Sequence, residues 1–415
     1  MRFSIGMVVG MSLFVVPALR ADEEILPAAA GLPVIDWKDA HQYLGREVVV
    51  QGTIVKTGTS RTINFLNFDK GRYFTAIVRK RNNANFPEPV LKLYGGKNVR
   101  IHGVISEYRG KPQIEVFKPD QVTILDQLEP IPPEPTKTPR TFTSVVTIAS
   151  YNVLNLFDEY DDPYHQDGGT DPKPKEQIDE LAKTIRRIDA DVLALQEVEN
   201  RGYLERFVRV MLPDMGYEHV VCVEGNDRRG IDCAVLSRHP VGPVTSYRHV
   251  RFPDGKGGMM SFHRDLIRVR IEPDGQPGFD VFVVHLKSKR GGAESTRIRV
   301  SEAKEARRIL EDLLHQDRDA RFVICGDFND TWESKALLAI RGDGKTALKT
   351  FLDDLPKAAA TYNREPHRSI IDFILCSPAM ARGYVPDSYR VRSGTVETSG
   401  SDHNPVMMQI DLSTK

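Results

Sequence analysis

Five polar positions stand at the ends of largely apolar runs in this 415-residue chain. Asn152 follows Val145-Val146-Thr147-Ile148-Ala149-Ser150-Tyr151, and Glu197 follows Asp191-Val192-Leu193-Ala194-Leu195-Gln196. His285 follows Val281-Phe282-Val283-Val284, and Asp327 with Asn329 follows Phe322-Val323-Ile324-Cys325-Gly326. Asp402 and His403 come just before Pro405-Val406-Met407-Met408. An apolar strand that ends in a polar group presents that group at the rim of a sheet while its buried part holds it rigid. Taken singly, each is an ordinary turn residue, surface carboxylate or core histidine. As a set they have a chemistry. Carboxylates and amides without thiolates suit a hard divalent cation, and two histidines beside them can move protons near neutral pH. Lys287, Lys289 and Arg290 follow closely on His285 and suit a phosphate, with a solvated basic loop as the plain alternative. No Cys/His spacing of a zinc site is present.

These positions need a frame of mixed strands and helices. Beyond residue 141 the pattern predicts strands over 143–150, 191–196, 219–223, 232–236, 266–271, 279–285, 321–325, 370–375 and 406–410. Ile178, Leu181, Ile185 and Ile188 make one helical face over 175–188. Further helices are expected over 204–211 and 297–314. This alternation points to an α/β sandwich of packed mixed sheets flanked by helices.

The N-terminal part reads differently. Arg2, an apolar stretch over 3–17, small residues at Ala18 and Ala21 and acids from Asp22 onward have the layout of a secretory signal, assigned to residues 1–21. No later apolar run is long enough to span a membrane, so the mature chain is expected to be secreted or periplasmic. A short helix is expected over 36–44. Short strands broken by Gly, Asn and Asp follow, over 48–55, 64–68, 73–78, 99–106 and 113–124, and predict a small β barrel over 34–128. Residues 129–142 hold five prolines between positions 129 and 139 and read as a stiff linker. The catalytic unit is then 143–415. Residues 42–128 carry 14 Lys and Arg against 7 Asp and Glu, a balance that suits an anionic polymer. Tyr73, Phe74, Tyr94 and Tyr108 lie among these basic residues and are candidates for base stacking or for barrel core. Cys222 and Cys233 flank a turn-rich stretch and form a candidate pair across a hairpin, whereas Cys325 and Cys376 read as buried thiols. The acidic stretch 157–175 is expected to be a solvated loop, since its spacing does not match an EF-hand loop, with a second calcium site as the alternative.

The phrases Ser150-Tyr151-Asn152-Val153-Leu154-Asn155, Leu195-Gln196-Glu197-Val198, His285-Leu286-Lys287-Ser288, Gly326-Asp327-Phe328-Asn329-Asp330, Ile371-Asp372-Phe373-Ile374-Leu375 and Ser401-Asp402-His403-Asn404-Pro405 together resemble the endonuclease/exonuclease/phosphatase superfamily, with its deoxyribonuclease-I-like fold. They occur in that family's order. The first block resembles the OB-fold family in Tyr43–Gly52 and Val99–Ile105. The combination resembles bacterial extracellular nucleases. The resemblance implies a four-layer α/β sandwich preceded by an OB-like barrel. It implies metal contacts from Glu197, with Asn152 and Asp402 near the ion, and positioning of water or phosphate by Asp327 and Asn329. His403 would be the general base, oriented by Asp372. His285 would clamp the phosphate or protonate the leaving oxygen, with Asp232 as its candidate partner. Asn155 and Asp330 are expected in turn or supporting roles. The cofactor implied is a divalent metal, Mg²⁺ ahead of Mn²⁺ or Ca²⁺. The expected activity is a secreted, metal-dependent phosphodiesterase, an endonuclease acting on DNA, with RNA as a second polymer. The alternative is an enzyme of the same fold acting on inositol phosphates or phospholipid head groups. A nucleic-acid substrate, no protein partner and a monomeric state complete the expectation.

Overall fold

The computed structural model describes residues 29, 31–131, 143–160, 165–166 and 169–414. The expected signal segment 1–21 and linker residues 132–142 lie outside them. No described helix is long and apolar enough to cross a membrane.

Residues 34–125 form a sheet in which Glu47–Thr53 and Asn98–Tyr108 run antiparallel at the centre. Its core is Val48, Val50, Ile54, Leu66, Phe74, Val78, Ile101 and Ile114, with others of the same segment. The run expected as one strand over 113–124 is two strands, Lys111–Glu115 and Val122–Leu125, with a 3-10 turn at Pro119–Gln121 between them. Pro119 lacks the amide hydrogen a ladder needs. Of the four aromatics flagged for stacking, Phe74 and Tyr94 are buried core, while Tyr73 and Tyr108 are exposed.

Beyond residue 144, two sheets pack face to face between two helical layers. The first sheet runs His219–Val223, Asp232–Ser237, Val192–Val198, Val145–Leu156, Val406–Asp411 and Arg390–Val391. The second runs Val241–Ser246, Ile267–Ile271, Phe279–His285, Phe322–Asp327 and Asp372–Cys376. Parallel pairs lie at the heart of each: Val192–Val198 beside Val145–Leu156, and Phe279–His285 beside Phe322–Asp327. Strand alternation sorts the side chains into layers. Val146, Ile148, Val192, Ala194, Val281, Val283, Val323 and Cys325 meet between the sheets. Ala149, Tyr151, Leu193 and Leu195 turn outward onto helices Lys175–Ile188 and Arg201–Met211. On the other side Phe282, Val284, Phe322 and Ile324 turn onto Gly292–Gln316 and Lys335–Arg341. The result is the four-layer sandwich.

Layering also decides the thiols. All four cysteines are free. Cys222 registers with Ala234, and Cys233 with Val223. Cys222 packs on the helix-side core and Cys233 between the sheets, so the expected hairpin pair sits on opposite faces and cannot bridge.

Candidate active site

The same alternation that buries Val146 and Ile148 between the sheets places Ser150 and Asn152 next on that face. In the second sheet it places His285 after Val281 and Val283, and Asp327 after Val323 and Cys325. Strand register then lines up His285 and Asp327 with Asp372. His285 is opposite Asp327, and Asp327 is opposite Asp372. The site is therefore one open end of the space between the sheets.

Glu197 reaches it by a local irregularity. The ladder of its strand shifts register between Gln196 and Val198, and Glu197 has φ +65°. One extra residue in a strand resets the alternation. Gln196 bonds Ser150 in the interior, Nε2 to Oγ 3.2 Å. Glu197 meets Asn152, whose Nδ2 donates to Glu197 Oε1 at 3.3 Å and to Asp327 Oδ2 at 3.2 Å. Leu154 and Asn155 also have positive φ, and the Asn155 amide donates to Glu197 Oε2 at 3.0 Å.

Asp327 is the hub. Its carboxylate accepts from the Asn329 backbone at 2.8 Å and from Asn329 Nδ2 at 3.1 Å. It lies 3.5 Å from His285 Nε2 and 3.8 Å from His403 Nε2. Burial and the neighbouring Asp372 charge push its pKa well above the usual carboxylate range. Gly326 lets the strand approach this closely, because a Cβ there would fall 1.9 Å from Val284 O.

His403 and Asp372 form a buried dyad, Nδ1 to Oδ2 2.9 Å. Burial lowers the imidazole pKa, but the carboxylates of Asp372 and Asp327 outweigh it and raise it to about 10. The ring is braced by Tyr362, edge-on at 5.2 Å between centroids. Ser401 ties this segment to the first sheet, donating to Asn152 O at 2.7 Å and accepting the His403 amide at 3.0 Å. His285 is the opposite case. Burial first, then Arg264 and His403, hold it neutral.

Not every expected residue joins this cluster. Asp232 does not orient His285: its carboxylate accepts the Gly225 amide at 2.7 Å, and His285 Nδ1 has no partner among the described residues. Lys289 points to Asp330 at 3.4 Å, and Asp330 is also clamped by Arg299 at 2.9 Å. Lys287 is half-buried and Arg290 exposed. Among the described residues no ion pair links these three to Glu197, Asp327 or Asp402. Asp402 pairs with Arg364 Nε at 2.8 Å.

Two cations near the site escaped sequence reasoning. Lys173 is buried and donates to Val153 O at 2.9 Å and Leu154 O at 2.8 Å, bracing the turn after Asn152. Burial lowers its pKa to about 8, against the pull of Glu197 and Asp402. Arg264 is buried, pairs with Asp227 at 3.0 Å and donates to Leu286 O at 3.3 Å. A polar His263-Arg264-Asp265 triplet before an apolar strand was a readable signal for Arg264. Nothing local marks Lys173.

The donors fit a hard divalent cation. Glu197 and Asp402 offer carboxylate oxygen, Asn152 Oδ1 already accepts the Leu154 amide at 3.0 Å but keeps a second lone pair, and Asn155 Oδ1 is a buried oxygen without a partner among the described residues. An amide nitrogen now stands between the Glu197 and Asp327 carboxylates, where positive charge is wanted. Asp327, Asp372 and His403 also bring ligand atoms within 4.8 Å of one another. In that trio, however, the histidine and Asp372 are already committed to each other.

A model described as the Endonuclease/Exonuclease/phosphatase family matches residues 147–398. Protein angel homolog 2 of Bos taurus is 30% identical over 163 residues, 36% of this chain and 28% of that protein. The chain thus matches little more than a quarter of that relative's length. Among solved structures, the endonuclease/exonuclease/phosphatase from Bacteroides vulgatus is 20% identical with TM-score 0.46, covering 65% of this chain and 100% of that one. Sphingomyelinase C from Streptomyces griseocarneus is 17% identical with TM-score 0.45, again over 65% and 100%. The human Nocturnin catalytic domain with bound sulfate is 17% identical with TM-score 0.45, over 65% and 94%. None of these three bears on substrate.

Proposed function

Since the chain belongs to the endonuclease/exonuclease/phosphatase family, we propose that it hydrolyses phosphodiesters with a divalent cation, Mg²⁺ first, and that its substrate is nucleic acid, DNA ahead of RNA. The observation that carries the reading is the buried His403–Asp372 pair, 2.9 Å long, facing Asp327 and set across the rim from Glu197 and Asn152. The basic balance of residues 42–128 supports a polymeric anion, and the apolar N-terminal stretch supports export.

Glu197, Asn152 and Asp402 would hold the cation. When bound, it supplies positive charge to the phosphate oxygens as they gain charge in the transition state. The chain's own residues do the rest. Asp327 and Asn329 hold the attacking water. His403 Nε2 takes its proton as the water oxygen bonds to phosphorus and the P–O bond to the ester oxygen breaks, that oxygen taking a proton from solvent water. Asp372 keeps Nδ1 protonated and the ring aligned, then balances the imidazolium. His285, neutral through burial, hydrogen-bonds the phosphate rather than protonating it.

The test is a substrate screen of the full chain with Mg²⁺ and an EDTA control. Plasmid DNA should be degraded, EDTA should stop this, and His403→Ala should cost more than the ~10²–10⁴-fold of acid–base help alone, since water alignment goes too. If DNA and RNA stay intact while a phosphomonoester turns over, the nuclease reading gives way to a phosphatase. DNA binding without turnover of any phosphoester would leave a binding protein.

A further inference from the structure

A groove of about 390 Å³ opens beside the dyad, lined by Asn363, Arg364, Thr395, Val396, Glu397 and Asp402. It shares Asp402 with the site. One wall is the loop closed by the Tyr362–Ser369 bridge, and the other begins the short helix Val396–Ser399. The walls are tied in place. Tyr362 bridges His403 through the backbone, the Asn363 amide donates to Asp402 O at 2.9 Å, and the Asn363 side chain donates to Gly394 O. The groove is thus built rather than collapsed, and only one of its six lining residues, Val396, is apolar. That composition disfavours an acyl chain and suits a charged, hydrated group.

Arg364 is the one cation in that lining. Its Nε meets Asp402 Oδ2 at 2.8 Å, but its side chain is 55% exposed. An ion pair whose cation is this exposed is weak, so an anionic ligand can displace it. Among the described residues no hydrogen bond occupies either Nη atom, which leaves the outer edge of the guanidinium open. That edge matches two phosphate oxygens. Glu397 on the far wall and Asp402 beside Arg364 are both carboxylates, so the outer edge of the Arg364 guanidinium is where a phosphate can be held in this lining.

We propose that this groove receives a second phosphate of the substrate, next to the one being cleaved, and that Arg364 is the residue that reads it. The inference rests on the phosphodiesterase reading above and deepens it. The enzyme would prefer substrates with consecutive phosphates, as in a nucleic-acid strand, over esters with one.

The experiment compares the full chain with Arg364→Ala and Arg364→Lys, under Mg²⁺, on a short oligodeoxynucleotide and on bis(p-nitrophenyl) phosphate. Arg364→Ala should lower the oligonucleotide-to-model-ester ratio of kcat/KM by ~10-fold or more, the size of one charge-assisted contact. The loss should fall mainly on oligonucleotide KM, and Arg364→Lys should recover part of it. Equal losses on both substrates would overturn the proposal, because Arg364 would then act only through Asp402. An unchanged ratio would overturn it as well. Failure of the unaltered chain on both esters would sink the underlying phosphodiesterase reading instead, and this inference with it.

Discussion

Asp372 and His403 are 31 residues apart yet share a hydrogen bond of 2.9 Å, and the charge of Asp372 sets when His403 can accept a proton. A general base works only when neutral. With a pKa raised to about 10, His403 gains its neutral form as pH rises, so activity should climb into the alkaline range. Asp372→Asn removes the strongest of the charges that raise this pKa. The ascending limb of kcat/KM against pH should then move to lower pH, while the plateau falls because the ring loses its anchor. Profiles between about pH 6 and 10 on both proteins would check this. A limb that stayed put, or moved up, would remove Asp372 from the role. The structure brings His285, Asp327, Asp372 and His403 together, and at this scale the sequence marks each of them in a phrase with its strand. The sequence was a poor guide to Lys173 and Arg364. What distinguishes them is what folds against them, a pair of backbone carbonyls in one case and Asp402 in the other.

Elements convert these residues into a site through two backbone devices. One is the bulge at Glu197. The other is Gly326, whose φ of +141° and contact with Val284 O leave no room for a side chain. The obstacle is a backbone carbonyl in a parallel ladder, which cannot rotate away. Gly326→Ala should therefore cost about 3 kcal/mol, the upper end for forced overpacking, or leave the chain insoluble. The control is Gly344→Ala, where φ is +61° but nothing lies within 4 Å. That change should cost only the ~1–2 kcal/mol of a left-handed residue. Thermal melts of the two variants decide it, and similar melting points would refute the steric argument. The helix Lys175–Ile188 and the strands His219–Val223 and Phe279–His285 have the bounds their periodicity predicts. The edge strands Val241–Ser246 and Arg390–Val391 are only partly buried, and their sequences carry no clear alternation.

Over the whole molecule, the apolar clusters do not mix. One draws only on residues 35–122 and the others only on 146–412. Contact between the two parts includes an ion pair, Arg209 to Glu47 at 3.7 Å. Removing residues 22–128 should thus leave a folded hydrolase active on bis(p-nitrophenyl) phosphate. If the basic segment holds the polymer, the truncated protein should need more DNA for half-maximal rate at low salt. Its salt dependence should also flatten, by ~0.9 in log–log slope for each phosphate that the segment had neutralised. Unchanged affinity at low salt would remove the binding role from this segment.

The sequence alone determined the α/β fold class and the family. Apolar runs predict strands, and the polar residues at their ends come to a sheet rim, so Asn152, Glu197, His285, Asp327 and His403 were legible as a set. Tertiary structure decided the rest. It put Cys222 and Cys233 on opposite faces, denied Asp232 to His285, and made one histidine basic and the other neutral. The reason is physical. Alternation is local to a strand, whereas burial and electric field come from partners far along the chain. Asp372 raises His403, while burial and Arg264 depress His285.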